Sequence, residues 1–184
     1  TVVPNFLNYN RSDKYKDIDV FAMFQYPGKD NYEWNLKTSD YYTKHRQNCI
    51  EWLKLLPPNI KLVTAESGKV PIDEYYNLMS RSKIVVAPFG YGEIAPRDLE
   101  SCCVGAILVK PIMSHIETIP NIYTDENMIF CQWDYSDLIL KITETLLNFK
   151  ELQGYYVENM RNSFATEKKK KKMVLYMYEV IKNI

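Results

Sequence analysis

Apolar positions along the chain fall into short unbroken runs, separated by stretches in which they recur with helical spacing. "IDVFAMFQ" (Ile18 to Gln25) is the first run, rich in strand formers and stopped at Pro27-Gly28. In "SDYYTKHRQNCIEWLKLLPP", Tyr42, Cys49, Trp52, Leu53 and Leu56 share one helical face, which predicts a helix from a Ser39 or Asp40 cap to Pro57-Pro58. "IKLVTA" (Ile60 to Ala65) predicts a second strand, and Pro71 opens a helix carrying Tyr75, Leu78 and Met79. "KIVVAP" is a third strand, Pro96 to Val104 a helix closed by a left-handed cap at Gly105, and "AILVKP" a fourth strand. "NMIFCQW" (Asn127 to Trp133) predicts a fifth, followed by helices over Ser136 to Asn148, Glu151 to Ser163 and from about Lys168.

Strands that are apolar throughout, alternating with helices, predict an α/β fold: a doubly wound, Rossmann-like parallel sheet with helices on both faces. A chain of 184 residues suits one such domain over residues 1–184, with 168–184 as a terminal helix. Ligands of these sheets bind beyond the carboxyl ends of the strands, where loops lead into helix amino termini.

Composition narrows the partners. Lys plus Arg equals Asp plus Glu at 23 each, so no global basic field is available to hold nucleic acid. No apolar run approaches the ~20 residues that span a bilayer, so no transmembrane segment is expected. Cys49, Cys102, Cys103 and Cys131 lack paired metal spacing and read as free thiols of a reducing, cytoplasmic compartment. Cys102 and Cys103 are expected to be core residues. The chain begins at Thr1, as a processed protein or an excised domain would.

The chemistry concentrates in "APFGYGEIAPRDLE", the loop after the third strand. Gly90 and Gly92 suggest positive φ and close approach of backbone to a ligand. Pro96 suits a first helical position, so the amides of Arg97, Asp98 and Leu99 would face an anion in the loop, with the Arg97 guanidinium beside them. Glu100, three residues on, would share Arg97's face and could accept hydrogen bonds from vicinal sugar hydroxyls. An Arg97–Glu100 ion pair on an ordinary turn is the plain alternative, and Asp98 would then serve only the helix dipole.

The run from Tyr75 to Pro120, with Ser82-Lys83, Ile84 to Ala87, Pro88, Gly90, Arg97, Glu100 and Gly105 in order, resembles the carboxyl-terminal, donor-binding half of GT-B-fold glycosyltransferases. The exostosin-like and family-one-type groups are the most similar. The resemblance implies that Glu100 binds the ribose of a nucleotide-sugar while the glycine loop and helix start face its diphosphate. It also implies transfer of the sugar to a glycan or other hydroxyl acceptor, with an amino-terminal acceptor domain missing from this chain. Retaining members carry two glutamates eight positions apart, whereas Glu93 and Glu100 are seven apart. The stereochemical outcome and the catalytic base therefore stay open. No metal and no cofactor beyond the donor substrate are expected, on the reading that the chain has no Asp-x-Asp pair and that Arg97 stands where a metal would otherwise neutralise the diphosphate.

Further candidates surround the loop. Lys29 and Lys37 follow the first strand, where relatives often place a basic residue for phosphate, although a solvated lysine is the simpler account of both. Arg46 resembles an arginine common at that place, and a surface salt bridge would explain it too. Val70 would lie beside a base and could read it through its backbone. His115, after the fourth strand, could hydrogen-bond a donor hydroxyl or phosphate. Lys168 to Lys172 read as a solvated helix start. Two other functions fit the same fold: a non-catalytic nucleotide- or protein-binding module, and a nucleotide-sugar epimerase using Glu93 and His115.

Overall fold

The structure is a computed structural model that describes residues 15–24, 39–64, 70–90, 92–119 and 121–165. Five strands, β1 (Ile18–Ala22), β2 (Leu62–Thr64), β3 (Ser82–Val86), β4 (Ile107–Pro111) and β5 (Ile129–Cys131), form one sheet in the order β2-β1-β3-β4-β5. Every pairing is parallel, with Val20 beside Leu62 and Ile84, Val85 beside Leu108, and Val109 beside Ile129. The helices are α1 (Ser39–Leu53), α2 (Ile72–Ser80), α3 (Pro96–Cys103), α4 (Leu138–Leu147) and α5 (Phe149–Ala165). The α/β, Rossmann-like parallel fold expected from the strand pattern is present.

The strands are apolar on both sides because both sides are covered. Val20 and Ala22 of β1 pack with Cys49, Ile50 and Leu53 of α1 and Leu138 and Ile142 of α4. Phe21 and Met23, pointing the other way, pack with Met79 of α2, Cys102 of α3 and Met160 of α5. The chain leaves β1 toward β2 on one side and β3 toward β4 on the other, so the switch point at which such sheets form a crevice lies beyond the ends of β1 and β3.

Several boundaries move for local reasons. The fifth strand keeps three of its seven expected residues. Before it, the Asn127 amide is tied to the Ile122 carbonyl and the Ser163 hydroxyl. After it, the Asp137 carboxylate receives the Gln132 amide and the chain turns at once. The Asp134 carboxylate likewise takes the Ser136 amide, delaying α4 to Leu138. Gly105 has φ 71°, the left-handed cap that closes α3 as expected. Gly90 and Gly92 do not have positive φ, contrary to the sequence reading. Among the described residues, no helix is long and apolar enough to cross a membrane. The helix expected from Lys168, with its lysine run, lies outside the described residues.

Candidate functional site

Phe24, buried at the end of β1, lies under two guanidinium groups: Arg46 of α1 at 6.0 Å and Arg97 of α3 at 5.8 Å from its ring centroid. Arg46 Nε donates to the Phe89 carbonyl at 2.8 Å, just after β3. Arg97 donates from Nη2 to the Met23 carbonyl at 2.7 Å and from Nε to the Tyr75 hydroxyl at 3.0 Å. Two half-buried cations are thus braced on backbone carbonyls at the ends of β1 and β3. Gly90 belongs to this arrangement through its missing side chain, because a Cβ there would strike the Arg46 guanidinium. A Cβ on Gly92 would meet nothing within 4 Å. The glycine loop therefore serves close approach at Gly90, and the approaching group is an arginine.

The start of α3 is held from inside. Asp98 Oδ2 accepts from the Ala95 amide at 3.1 Å and from the Tyr123 hydroxyl at 2.8 Å. Lys110 Nζ lies 3.1 Å from the same carboxylate, and neither side chain has any exposure. The ammonium also faces the rings of Phe89 and Tyr123, at 5.1 and 5.9 Å. Burial presses the Lys110 pKa down, while Asp98 opposes that shift. Asp98 is more than a dipole partner: it is one half of a buried ion pair that fastens α3 to β4. The Asp98 amide, expected to face the loop, donates instead to the Ala95 carbonyl at 2.9 Å.

Glu100 and Arg97 both turn to tyrosines of α2. Tyr76 donates its hydroxyl to Glu100 Oε1 at 2.9 Å, and the Tyr75 hydroxyl stands near both charged groups. Among the described residues, Arg97 and Glu100 do not pair with each other, so the i,i+3 ion pair is not what organises this face.

Beyond β3, β4 and β5 lies an aromatic group centred on Phe89. Trp133 meets Phe89 at 5.1 Å and His115 at 5.2 Å, both edge-on, and its indole N–H donates to the Ile112 carbonyl at 3.0 Å. His115 Nε2 lies 3.9 Å from Glu93 Oε1. Beneath them, buried His45 stacks on Phe89 at 5.2 Å. Burial, with Arg46 and Lys110 nearby, lowers the His45 pKa to about 4. Its neutral ring shares a 2.6 Å hydrogen bond between Nε2 and the Tyr135 hydroxyl. Tyr135 is itself fully buried with φ 63°, a conformation uncommon for a side chain of that size.

Of the candidate residues, Gly90, Arg46 and Arg97 meet at the crevice, Glu100 lies one helical turn along α3, and Gly92, Glu93 and His115 rim the same end of the sheet. Val70 packs its side chain against the core beside α2. Lys29 and Lys37 lie outside the described residues. Cys102 is buried as expected, while Cys103 is half-exposed. The sequence reading missed His45, Lys110, Tyr123 and Trp133. The expectation that the chain has no Asp-x-Asp pair is incorrect, since Asp17-Ile18-Asp19 is one. It lies at the opposite end of the sheet, where Arg81 and Lys61 donate to Asp17 and Lys83 to Asp19. A shallow hollow of about 400 Å³ along α5, lined by Gln153, Gly154, Val157, Glu158 and Arg161, is likewise distant, since Arg161 reaches the carbonyls at the far end of α3.

The chain matches no protein-family model and no curated protein sequence.

Proposed function

We propose that this chain is the donor-binding domain of a glycosyltransferase, holding a nucleoside-diphosphate sugar at the crevice beyond β1 and β3. The observation that carries the proposal is the convergence of Arg46 and Arg97 on Phe24, beside the start of α3. Two guanidiniums pre-braced on carbonyls need little reorganisation to receive a diphosphate, and the α3 amino terminus adds a favourable field for the same anion. Stabilising the departing diphosphate would be this domain's share of catalysis. Glu100, oriented by Tyr76, is suited to accept the ribose hydroxyls. The glycan or other hydroxyl acceptor would be held by a part of the molecule beyond this domain.

Calorimetric titration with nucleoside diphosphates and the corresponding nucleosides tests this reading. Arg97→Ala should weaken the diphosphate at least tenfold more than the nucleoside, roughly the worth of one charge-assisted contact. Equal losses for both would remove Arg97 from the diphosphate site.

A second reading, a nucleotide-sugar epimerase, is favoured by the approach of Glu93 to His115, which brings a potential acid and base together. Uptake of solvent deuterium into the sugar of a donor without acceptor would support it, and no uptake would leave the transferase.

A further inference from the structure

Phe89 joins two environments. Its carbonyl receives Arg46 on the crevice side, while its ring supports Trp133 and His115 on the side of β4 and β5. A group attached to a diphosphate at the arginines would therefore reach the Trp133 side across a single residue. What it would meet there is chemically distinctive. Trp133 is 38% exposed even after packing against Phe89 and His115, and its indole N–H is fixed on the Ile112 carbonyl, so the ring is held in place. Glu93 and His115 stand beside it with side chains 30% and 40% exposed.

A fixed indole bordered by a carboxylate and an imidazole suits a pyranose ring. The C–H bonds on one face of the sugar carry partial positive charge that meets the negative π-face. Its hydroxyls find an acceptor in the Glu93 carboxylate and a donor or acceptor in His115. A flat apolar partner would leave both polar groups without hydrogen bonds, and an anionic one would face Glu93.

We infer that Trp133, His115 and Glu93 form a platform for a neutral hexopyranosyl group, and that Glu93 makes the site reject hexuronosyl groups. The inference rests on the nucleotide-sugar reading and adds to it the class of sugar. The carboxylate of a uronate would either be turned toward Glu93 or lose the stacked orientation. An amide at position 93 keeps the hydrogen bonds and removes the repulsion.

The test compares calorimetric affinities for UDP, UDP-glucose and UDP-glucuronate, with GDP, GDP-mannose and GDP-mannuronate run beside them so that base preference does not decide the result. In whichever set binds, the neutral sugar nucleotide should bind about tenfold tighter than the bare diphosphate, and the uronate no tighter. Trp133→Ala should erase the gain for the neutral sugar while leaving the bare diphosphate as it was, and Trp133→Phe should restore part of it. Glu93→Gln should bring the uronate up toward the neutral sugar. Equal binding of sugar nucleotide and diphosphate by the native protein, or equal weakening of all ligands by Trp133→Ala, overturns the platform and leaves the nucleotide reading intact. A gap between neutral sugar and uronate that Glu93→Gln leaves unchanged overturns the role of Glu93. If neither diphosphate binds, the nucleotide reading is lost. The Trp133 indole N–H resonance on addition of methyl glucopyranoside then decides the platform alone: a shift supports it and an unmoved signal overturns it.

Discussion

Tyr76 of α2 donates its hydroxyl to Oε1 of Glu100 on α3 at 2.9 Å, so the carboxylate proposed to recognise ribose is aimed by a neighbouring helix. The bond occupies one lone pair and leaves others for vicinal hydroxyls.

Glu100→Ala should therefore cost about tenfold in nucleotide affinity and abolish the preference for a ribo- over a 2′-deoxynucleotide. Tyr76→Phe should keep the carboxylate but loosen its aim, reducing that preference about two- to fivefold. Paired titrations with the two nucleotides check both. A Glu100→Ala protein that still discriminates ribose would show that the residue only braces α2 against α3.

The Lys110–Asp98 pair makes a prediction about stability. Lys110→Met strands the Asp98 carboxylate in a site without solvent, where only Tyr123 and the Ala95 amide remain to it, and should cost about 3–5 kcal/mol. Replacing both, as in Lys110→Met with Asp98→Asn, removes the buried charges together and should recover at least half of that loss. Urea unfolding of the single and double variants measures it. A double variant less stable than Lys110→Met would mean that the ion pair is not the reason for the loss.

These features differ in how far they could be read from the chain. The parallel sheet was legible because a strand covered on both faces is apolar at every position, and β1, β3 and β4 show this without help from distant residues. Gly105 was legible because a glycine after a short helix has one common use. The Asp98–Lys110 pair joins a helix to a strand through the core, and only the folded sheet makes the residues neighbours. A signal existed, since a lysine inside "AILVKP" must find a partner if that strand is buried. His45 offered a similar one, four residues before Cys49 on the inward face of α1. The packing at Gly90 was not legible, because the space of its Cβ is occupied by Arg46, far away in the chain.

His45 predicts a pH dependence. Its pKa is about 4 in the fold against 6.5 as the ordinary value, so between those limits the unfolded chain binds a proton that the native protein does not. Its contribution is full above pH 6.5 and is lost as pH falls toward 4, on the order of 3 kcal/mol in total. Asp17, held below the usual carboxylate range by Arg81 and Lys61, loses its contribution only at more acid pH. Chemical denaturation between pH 7.5 and 4 should show the decline, and His45→Gln, which keeps a hydrogen-bonding partner for Tyr135, should flatten it. A slope unchanged in His45→Gln would assign the proton to another group.

Gly90→Ala separates packing from binding. The new methyl would meet the far end of the Arg46 side chain, which can swing aside, so the fold need not deform. The displaced guanidinium loses its 2.8 Å bond to the Phe89 carbonyl, a cost of about 1 kcal/mol. Reduced freedom of the unfolded chain at an alanine returns about 0.4–1 kcal/mol, which offsets the loss of that one bond. Binding should respond differently. If Arg46 in its braced position receives the diphosphate, Gly90→Ala should weaken UDP or GDP about tenfold, as should Arg46→Ala. The double variant should then be no weaker than Arg46→Ala alone, because both changes remove the same guanidinium from the same place. Additive losses would mean that Gly90 approaches the ligand itself. Native affinity in Gly90→Ala, with Arg46 shown to be displaced, would take Arg46 out of the site and leave the anion to Arg97 and the start of α3.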